Sequence, residues 1–194
     1  LGVPCGIMDQ LVSAAGREGR ALLIHTGART WREVALPDEV EVRVVDSGQP
    51  RTLAGSAYAS VRDRCVRARE LLGDLIGADP EAWRGIDDPS VATAARHVIG
   101  ENHRVGEFAD ALGRGDVAGA GRLMVESHRS LAELGVSTPA LDSLVDRLLA
   151  APGVLGARLT GAGFGGWVVV LCTPGALDEG LRVEPSAGAR VRRG

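Results

Sequence analysis

Apolar residues recur along this chain in two rhythms, and each predicts its own kind of element. Met8, Leu11, Val12 and Ala15 share one face of a helix over Ile7–Ala15, which Gly16 ends. Ala21–Ile24 and Thr30–Leu36 read as two strands around a turn at Gly27, and Pro37-Asp38 breaks the pattern. From Glu39 to Asp46 the period is two. Val40, Val42 and Val44 fall on one face and Glu41 and Arg43 on the other, as in a half-buried strand. Leu53, Ala57, Val61, Cys65, Ala68 and Leu72 predict a long amphipathic helix over Thr52–Leu72. Gly73–Pro89 reads as a turn-rich connection with room for a short helix.

Helical spacing returns over Val91–Leu112 and Asp116–Leu134, separated by Gly113 and Gly115, with Asp116 placed to cap the second helix. Ser137 or Thr138 caps a further helix with Pro139 in its first position, running to Ala150 before Pro152-Gly153 stops it. Val154–Leu159 and Trp167–Cys172 are strands on either side of a glycine loop, and Thr173–Gly194 reads as mostly turn. A strand, a set of helices and a strand pair make an α+β domain. The expected boundary lies near Pro37-Asp38, so that 1–37 is the tail end of one domain and 38–194 a second. The chain opens at Leu1 and enters a motif at once, which reads as an interior fragment or a truncated gene product.

Composition narrows the chemistry. A net charge of −3 gives no electrostatic footprint for nucleic acid. All 22 basic residues are arginine, which removes lysine Schiff bases and a phosphate-binding lysine. Cys5, Cys65 and Cys172 are widely spaced and odd in number, which fits a reducing cytoplasm better than a disulfide framework or a zinc site. Trp167–Cys172, the longest apolar run, is too short to span a bilayer, so no membrane role is expected.

Two segments carry candidate chemistry. In Gly2-Val3-Pro4-Cys5-Gly6-Ile7-Met8-Asp9-Gln10, a glycine-bearing entry leads into a helix whose first turn carries Asp9. A carboxylate there complements the helix dipole, or it serves as a base towards a substrate hydroxyl. In Thr160-Gly161-Ala162-Gly163-Phe164-Gly165-Gly166, the spacing satisfies GxGxxG. A strand follows the loop where the dinucleotide fingerprint needs a helix, and no Gly-Lys-Ser/Thr follows, so both common phosphate loops are excluded. What remains is a nest of backbone N–H groups facing a phosphate or another loop, or a glycine-rich hairpin turn around an exposed-type Phe164. Tyr58, the one tyrosine, is either a rim residue of its helix or a hydroxyl donor to a polyol. His25, His97, His103 and His128 lack metal-ligand spacing, and a lone helical histidine such as His128 is more often structural. Arg190, Arg192 and Arg193 read as a solvated tail.

Taken in order, several segments resemble the galactokinases of the GHMP small-molecule kinase family. They are Cys5-Gly6-Ile7-Met8-Asp9-Gln10 with Ala21-Leu22-Leu23-Ile24, and Asp46-Ser47-Gly48-Gln49-Pro50-Arg51-Thr52-Leu53 leading to Ser56-Ala57-Tyr58. Next come Glu101-Asn102 with Arg104, Ala111-Leu112 with Gly115-Asp116, and Leu123-Met124 with Ser127-His128-Arg129-Ser130-Leu131. Last are the Thr160–Gly166 loop and Val183-Glu184-Pro185-Ser186 with Gly188-Ala189. The resemblance implies a GHMP-kinase-like α+β fold: a remnant of the N-terminal domain, then a ferredoxin-like C-terminal domain with extra helices. It implies ATP-dependent phosphorylation of galactose at the anomeric hydroxyl, with Mg2+ bridging the phosphates. Asp9 would be the base or charge partner at that hydroxyl, and Tyr58 would contact the sugar. Gly161, Ala162, Gly163, Phe164, Gly165 and Gly166 would shape the ATP site.

The family's phosphate loop, magnesium ligands and sugar-binding acids belong to a preceding N-terminal half, so the expected partners are that half, galactose and ATP. No metal ligand is expected among these residues, and this fragment alone is expected to be inactive. His25-Thr26-Gly27, Asp46-Ser47-Gly48 and Trp167 depart from the family pattern, and Thr173–Arg182 is too short for the helix the family has there. A GHMP kinase for another sugar and a non-catalytic sugar-sensing relative are the alternatives.

Overall fold

The computed structural model describes residues 6–51 and 55–190. The start of the first motif, Gly2–Cys5, and the tail arginines Arg192 and Arg193 lie outside the described residues, as do Thr52–Ala54 at the expected start of the long helix. Helix α1 spans Met8–Ala15 and is followed by a two-stranded hairpin, β1 (Arg20–His25) and β2 (Thr30–Ala35). Then come β3 (Glu41–Asp46), α2 (Gly55–Leu72), a single tight helical turn (Ala82–Gly85), α3 (Pro89–Gly113), α4 (Val117–Leu134) and α5 (Pro139–Leu149). Strands β4 (Val154–Leu159), β5 (Trp167–Cys172) and β6 (Leu181–Val183) complete an antiparallel sheet in the order β4-β5-β3-β6. This is the α+β fold expected from the sequence.

Local chemistry sets the helix ends. Asp88 accepts the backbone N–H groups of Ser90 and Val91 with Pro89 behind it, so α3 starts at Pro89, two residues before Val91. Asp116 accepts the Gly119 N–H to open α4, and Gly135 closes that helix in the left-handed region at φ 87°. Thr138 accepts the Leu141 N–H ahead of Pro139 and opens α5.

The core lies on both faces of the sheet. Val45, Leu159, Val168, Val170 and Cys172 meet α5 and the C-terminal half of α4 on one face. Leu171, with Val42 and Val169, meets the adjoining ends of α3 and α4 and the β1–β2 hairpin on the other. Helix α4 seats against β4 backbone to backbone. A Cβ on Gly121 would lie 2.1 Å from the Leu155 carbonyl oxygen, and one on Gly156 would lie 2.3 Å from the Gly121 carbonyl oxygen.

The structure corrects the sequence reading at three places. Leu181–Val183 is a strand where only turn was expected. It is three residues long, exposed throughout, and pairs with β3, so no alternation signals it. Glu41, assigned to the polar face of β3, is 6% exposed. It is buried because Arg43 and Arg182 pair with it, while the Glu179 and Gly180 carbonyls accept from Arg43 as the 173–180 segment folds over that face. The segment after Cys172 also does more than turn. Gly19 donates to the Pro185 carbonyl at 3.3 Å, and Gly188 and Ala189 donate to Gly16 and Ser13 at 2.7 Å each, strapping 185–189 to the end of α1.

Gly121→Ala is expected to lower stability by about 1–3 kcal/mol, because a methyl group there must push α4 off β4. Urea unfolding checks this, with Gly113→Ala, where a Cβ meets open space, as the neutral comparison.

Candidate functional site

The glycine loop joins β4 to β5, and its base is closed by the Thr160 N–H donating to the Trp167 carbonyl at 3.0 Å. Inside it, Gly161, Gly163, Phe164, Gly165 and Gly166 all have positive φ. The loop is clamped on two sides. The Phe164 N–H donates to the Val136 carbonyl at 2.8 Å, and the Gly166 N–H donates to the Gln49 carbonyl at 2.9 Å. The Gly166 carbonyl in turn accepts from Ser47 at 2.9 Å.

Two glycines are there because backbone passes against them. A Cβ on Gly163 would lie 2.2 Å from the Val136 carbonyl oxygen, and one on Gly165 would lie 2.8 Å from that of Gln49. Phe164, read as exposed, is partly buried against the main core, because its bond to Val136 turns the ring inward. Among the described residues, no hydrogen-bond partner is present for the N–H groups of Gly161, Ala162, Gly163 and Gly165. The loop is therefore a buttressed hairpin that also keeps donors to spare, joining the two alternatives that the spacing left open.

Arg51 stands at the mouth of this loop. Its guanidinium donates to the Thr160 carbonyl at 3.2 Å and lies close to Gly161 and Gly166. Asp46, Gln49, Pro50, Arg51, Gly166 and Trp167 line a depression of about 310 Å³ beside it. Arg51 falls within the Asp46–Leu53 segment of the family resemblance, which by itself assigns it no role. Its signal was its place in the loop that follows β3, beside the glycine loop only once the sheet pairs β3 with β5.

The root of the loop is held from α4. The Leu159 N–H donates to Nδ1 of His128 at 3.3 Å, so the proton of this imidazole sits on Nε2, which lies 3.2 Å from the Asp142 carboxylate of α5. Ser127 donates to Glu101 at 2.6 Å and accepts from Arg158 at 2.7 Å, while Arg158 also donates to the Leu159 carbonyl at 3.0 Å. His128 is 6% exposed and Ser127 3%. Burial holds the His128 pKa below its ordinary value, against the pull of Asp142. Burial likewise lowers that of His97, whose Nδ1 lies 2.8 Å from the Ser130 hydroxyl.

Asp9 is exposed in the first turn of α1, a helix with no buried residue, and Tyr58 is 44% exposed on α2. No hydrogen bond or cavity joins either of them to the glycine loop among the described residues. The apolar face expected on α1 is there, yet Met8 is 56% and Val12 43% exposed. Among the described residues, no group of three or more His, Cys, Asp or Glu side chains could hold a metal, and no helix is long and apolar enough to cross a membrane.

Burial disfavours the protonated form of both His128, which is buried, and His97, which is half-buried. Below the ordinary imidazole value of about 6.5 the unfolded chain takes up protons that the folded chain resists, so stability falls as pH drops from there. The urea midpoint is expected to decrease between about pH 7 and pH 5. The His97→Gln/His128→Gln double variant should start lower at neutral pH and show a shallower fall. An equal slope in both proteins would sink this account.

Comparison with known proteins agrees with this architecture. The family model for the C-terminal region of GHMP kinases matches residues 108–183. Along its whole length the chain is 42% identical to a galactokinase of Chloroflexus aggregans, covering 52% of that protein. It is 42% identical to the Homo sapiens galactokinase over 93% of this chain and 48% of that one. The crystal structure of Lactococcus lactis galactokinase complexed with galactose superposes with a TM-score of 0.79 at 26% identity, over 89% of this chain and 47% of that chain. The crystal structure of L. major mevalonate kinase in complex with R-mevalonate shares the fold at a TM-score of 0.58 and 19% identity, over 88% of this chain and 50% of that chain. The chain spans about half the length of the curated relatives it matches. Residues 108–183 thus carry the C-terminal region of GHMP kinases, and the chain as a whole is similar to the C-terminal portion of galactokinases.

Proposed function

We propose that this chain is the C-terminal portion of a galactokinase-type sugar kinase, which transfers the γ-phosphoryl group of ATP to the anomeric hydroxyl of galactose, giving galactose 1-phosphate and ADP. The observation that carries this reading is the 42% identity to a galactokinase along the entire chain. The buttressed glycine loop, with its spare N–H groups and Arg51 at the mouth, adds chemical support.

Each part has a role in this reading. Asp9 accepts or orients the proton of the anomeric hydroxyl as that oxygen attacks phosphorus, and the ADP oxygen leaves on the opposite side. The Tyr58 hydroxyl contacts the sugar. The loop from Gly161 to Gly166 supports the ATP site: its N–H groups suit an anion, and the guanidinium of Arg51 suits a phosphate oxygen. Magnesium, when bound, neutralises charge on the phosphates. In this reading its ligands belong to the other half of the kinase, with the phosphate loop and the sugar-binding acids. Residues 1–37 are then the end of the N-terminal domain and 38–194 the C-terminal domain.

Phosphoryl transfer is mostly positioning and electrostatics, so the 194-residue chain alone is expected to show no turnover. A chimera tests the reading directly. The chain replaces the matching portion of the Chloroflexus aggregans galactokinase, and galactose-dependent ATP consumption is followed. The chimera should turn over, and Asp9→Asn should lower kcat by about 10²–10⁴-fold with ATP binding retained. A folded chimera without turnover, or one indifferent to Asp9→Asn, would overturn the proposal. Turnover with a different hexose alone would replace the substrate.

A further inference from the structure

An apolar cavity lies away from the glycine-loop mouth. It is a cleft of about 480 Å³ between the second face of the sheet, the adjoining ends of α3 and α4, and the β1–β2 hairpin. Its walls are hydrocarbon: Val42, Val169 and Leu171 from the sheet, Phe108 and Leu112 from α3, and Met124 from α4. The volume falls in the range of small-molecule sites, which are typically about 300–1,000 Å³ and apolar with a few convergent polar groups.

The polar groups converge at one end. Arg104 and Arg158 both line the cleft, with side chains 19% and 28% exposed, and both pair with the Glu101 carboxylate. Ser127 links Glu101 to Arg158. Glu126 reaches Arg104 at 3.7 Å from a more exposed position, with its side chain 54% accessible. Burial lowers the pKa of the nearby His97. Inside the cleft, then, two guanidiniums share one carboxylate. Arg158 spends Nη1 on Ser127 and Nε on the Leu159 carbonyl, and Arg104 spends Nη1 on Glu101. The Nη2 groups of both arginines have no hydrogen-bond partner among the described residues.

We propose that this cleft binds a small amphipathic carboxylate, its head group on Arg104 and Arg158 and its hydrocarbon body along Val42, Val169 and Leu171. Within the lining two guanidiniums face the single carboxylate of Glu101, since Glu126 meets Arg104 from outside the cleft, and the open Nη2 edges of planar guanidinium groups suit a carboxylate fork. An ammonium group finds only donors at those edges, and a polyol leaves the apolar walls unmatched. The site is separate from the phosphate-facing loop but shares its support, because Arg158 holds Leu159 and Thr160 lines the cleft. Binding here does not depend on the kinase reading.

Calorimetric titration of the 194-residue chain with decanoate, decanol and decylamine, below their micelle concentrations, tests this. Decanoate should bind saturably, about ten-fold or more tighter than decanol, and decylamine should be the weakest. Arg104→Met should erase the preference of acid over alcohol while leaving the alcohol's affinity unchanged. Val105→Trp, which fills the cleft from a residue 43% exposed on its rim, should weaken both. Methyl NMR shifts of Val169 and Leu171 on adding decanoate locate the site without any variant. The proposal is overturned by no saturable binding, by equal affinity for acid and alcohol, or by shifts that miss these methyl groups.

Discussion

The seating of α4 along β4 is the contact on which the rest of this structure depends. Gly121 and Gly156 have no side chain to hold the two backbones apart, and each would collide with the other element if it gained a Cβ. That closeness lets one stretch of α4 grip the end of β4. Ser127 reaches Arg158, and His128 accepts from Leu159, one residue before the glycine loop begins. The same helix ends at Gly135, and the next residue, Val136, supplies the carbonyl that receives the Phe164 N–H. One helix therefore holds the glycine loop at its root and at its apex. The 46–51 segment, brought in by the pairing of β3 with β5, holds its far side. Positive φ along most of the loop is tolerable because glycine occupies all but one of those positions and the clamps remove the freedom that glycine would otherwise retain.

Buried polarity follows the same economy. Glu101, Ser127 and Arg158 satisfy one another inside the fold, and each would be costly alone. His128 is neutral because its Nδ1 faces a backbone donor. Protonation there would set two donors against each other, which burial makes expensive. On the opposite face, Glu41 is enclosed by Arg43 and Arg182 under a short segment rather than under a helix. An all-arginine cation set suits these roles, since a planar guanidinium bonds a carboxylate and a carbonyl together, as Arg43 does with Glu41 and Glu179.

Much of the fold was legible because its signals are local. The caps Asp116 and Thr138, Pro139 in the first position of α5, and the apolar strands flanking the glycine loop all read correctly from neighbours in sequence. What escaped depends on partners distant in the chain. β6 is a strand only because β3 has a free edge beside it, and Glu41 is buried only because Arg182 returns next to it. Phe164 turns inward because Val136 captures its N–H. The candidate site divides in the same way. The glycine loop was visible as a spacing, but the reason for Gly163 and Gly165 is a backbone contact with residues far away in sequence. Arg51 gained a role only when β3 was paired with β5.

Asp9 and Tyr58 show where local reading stops. Each sits where its helix predicts, on an exposed surface near the start of α1 and α2. Exposure leaves a carboxylate or a phenol solvated, and a solvated group gains little ligand selectivity, because water competes for every contact it could offer. The glycine loop is in the opposite condition, with its conformation already set by contacts inside these residues. The two halves of the proposed chemistry are thus prepared unequally. In the proposed reading, the support for phosphate is the part whose conformation these residues already set, whereas the groups assigned to the sugar stand exposed, Asp9 on a helix whose Met8 and Val12 are open as well. The proposal therefore leaves the sugar site, rather than the loop, as the part that a further surface has to complete.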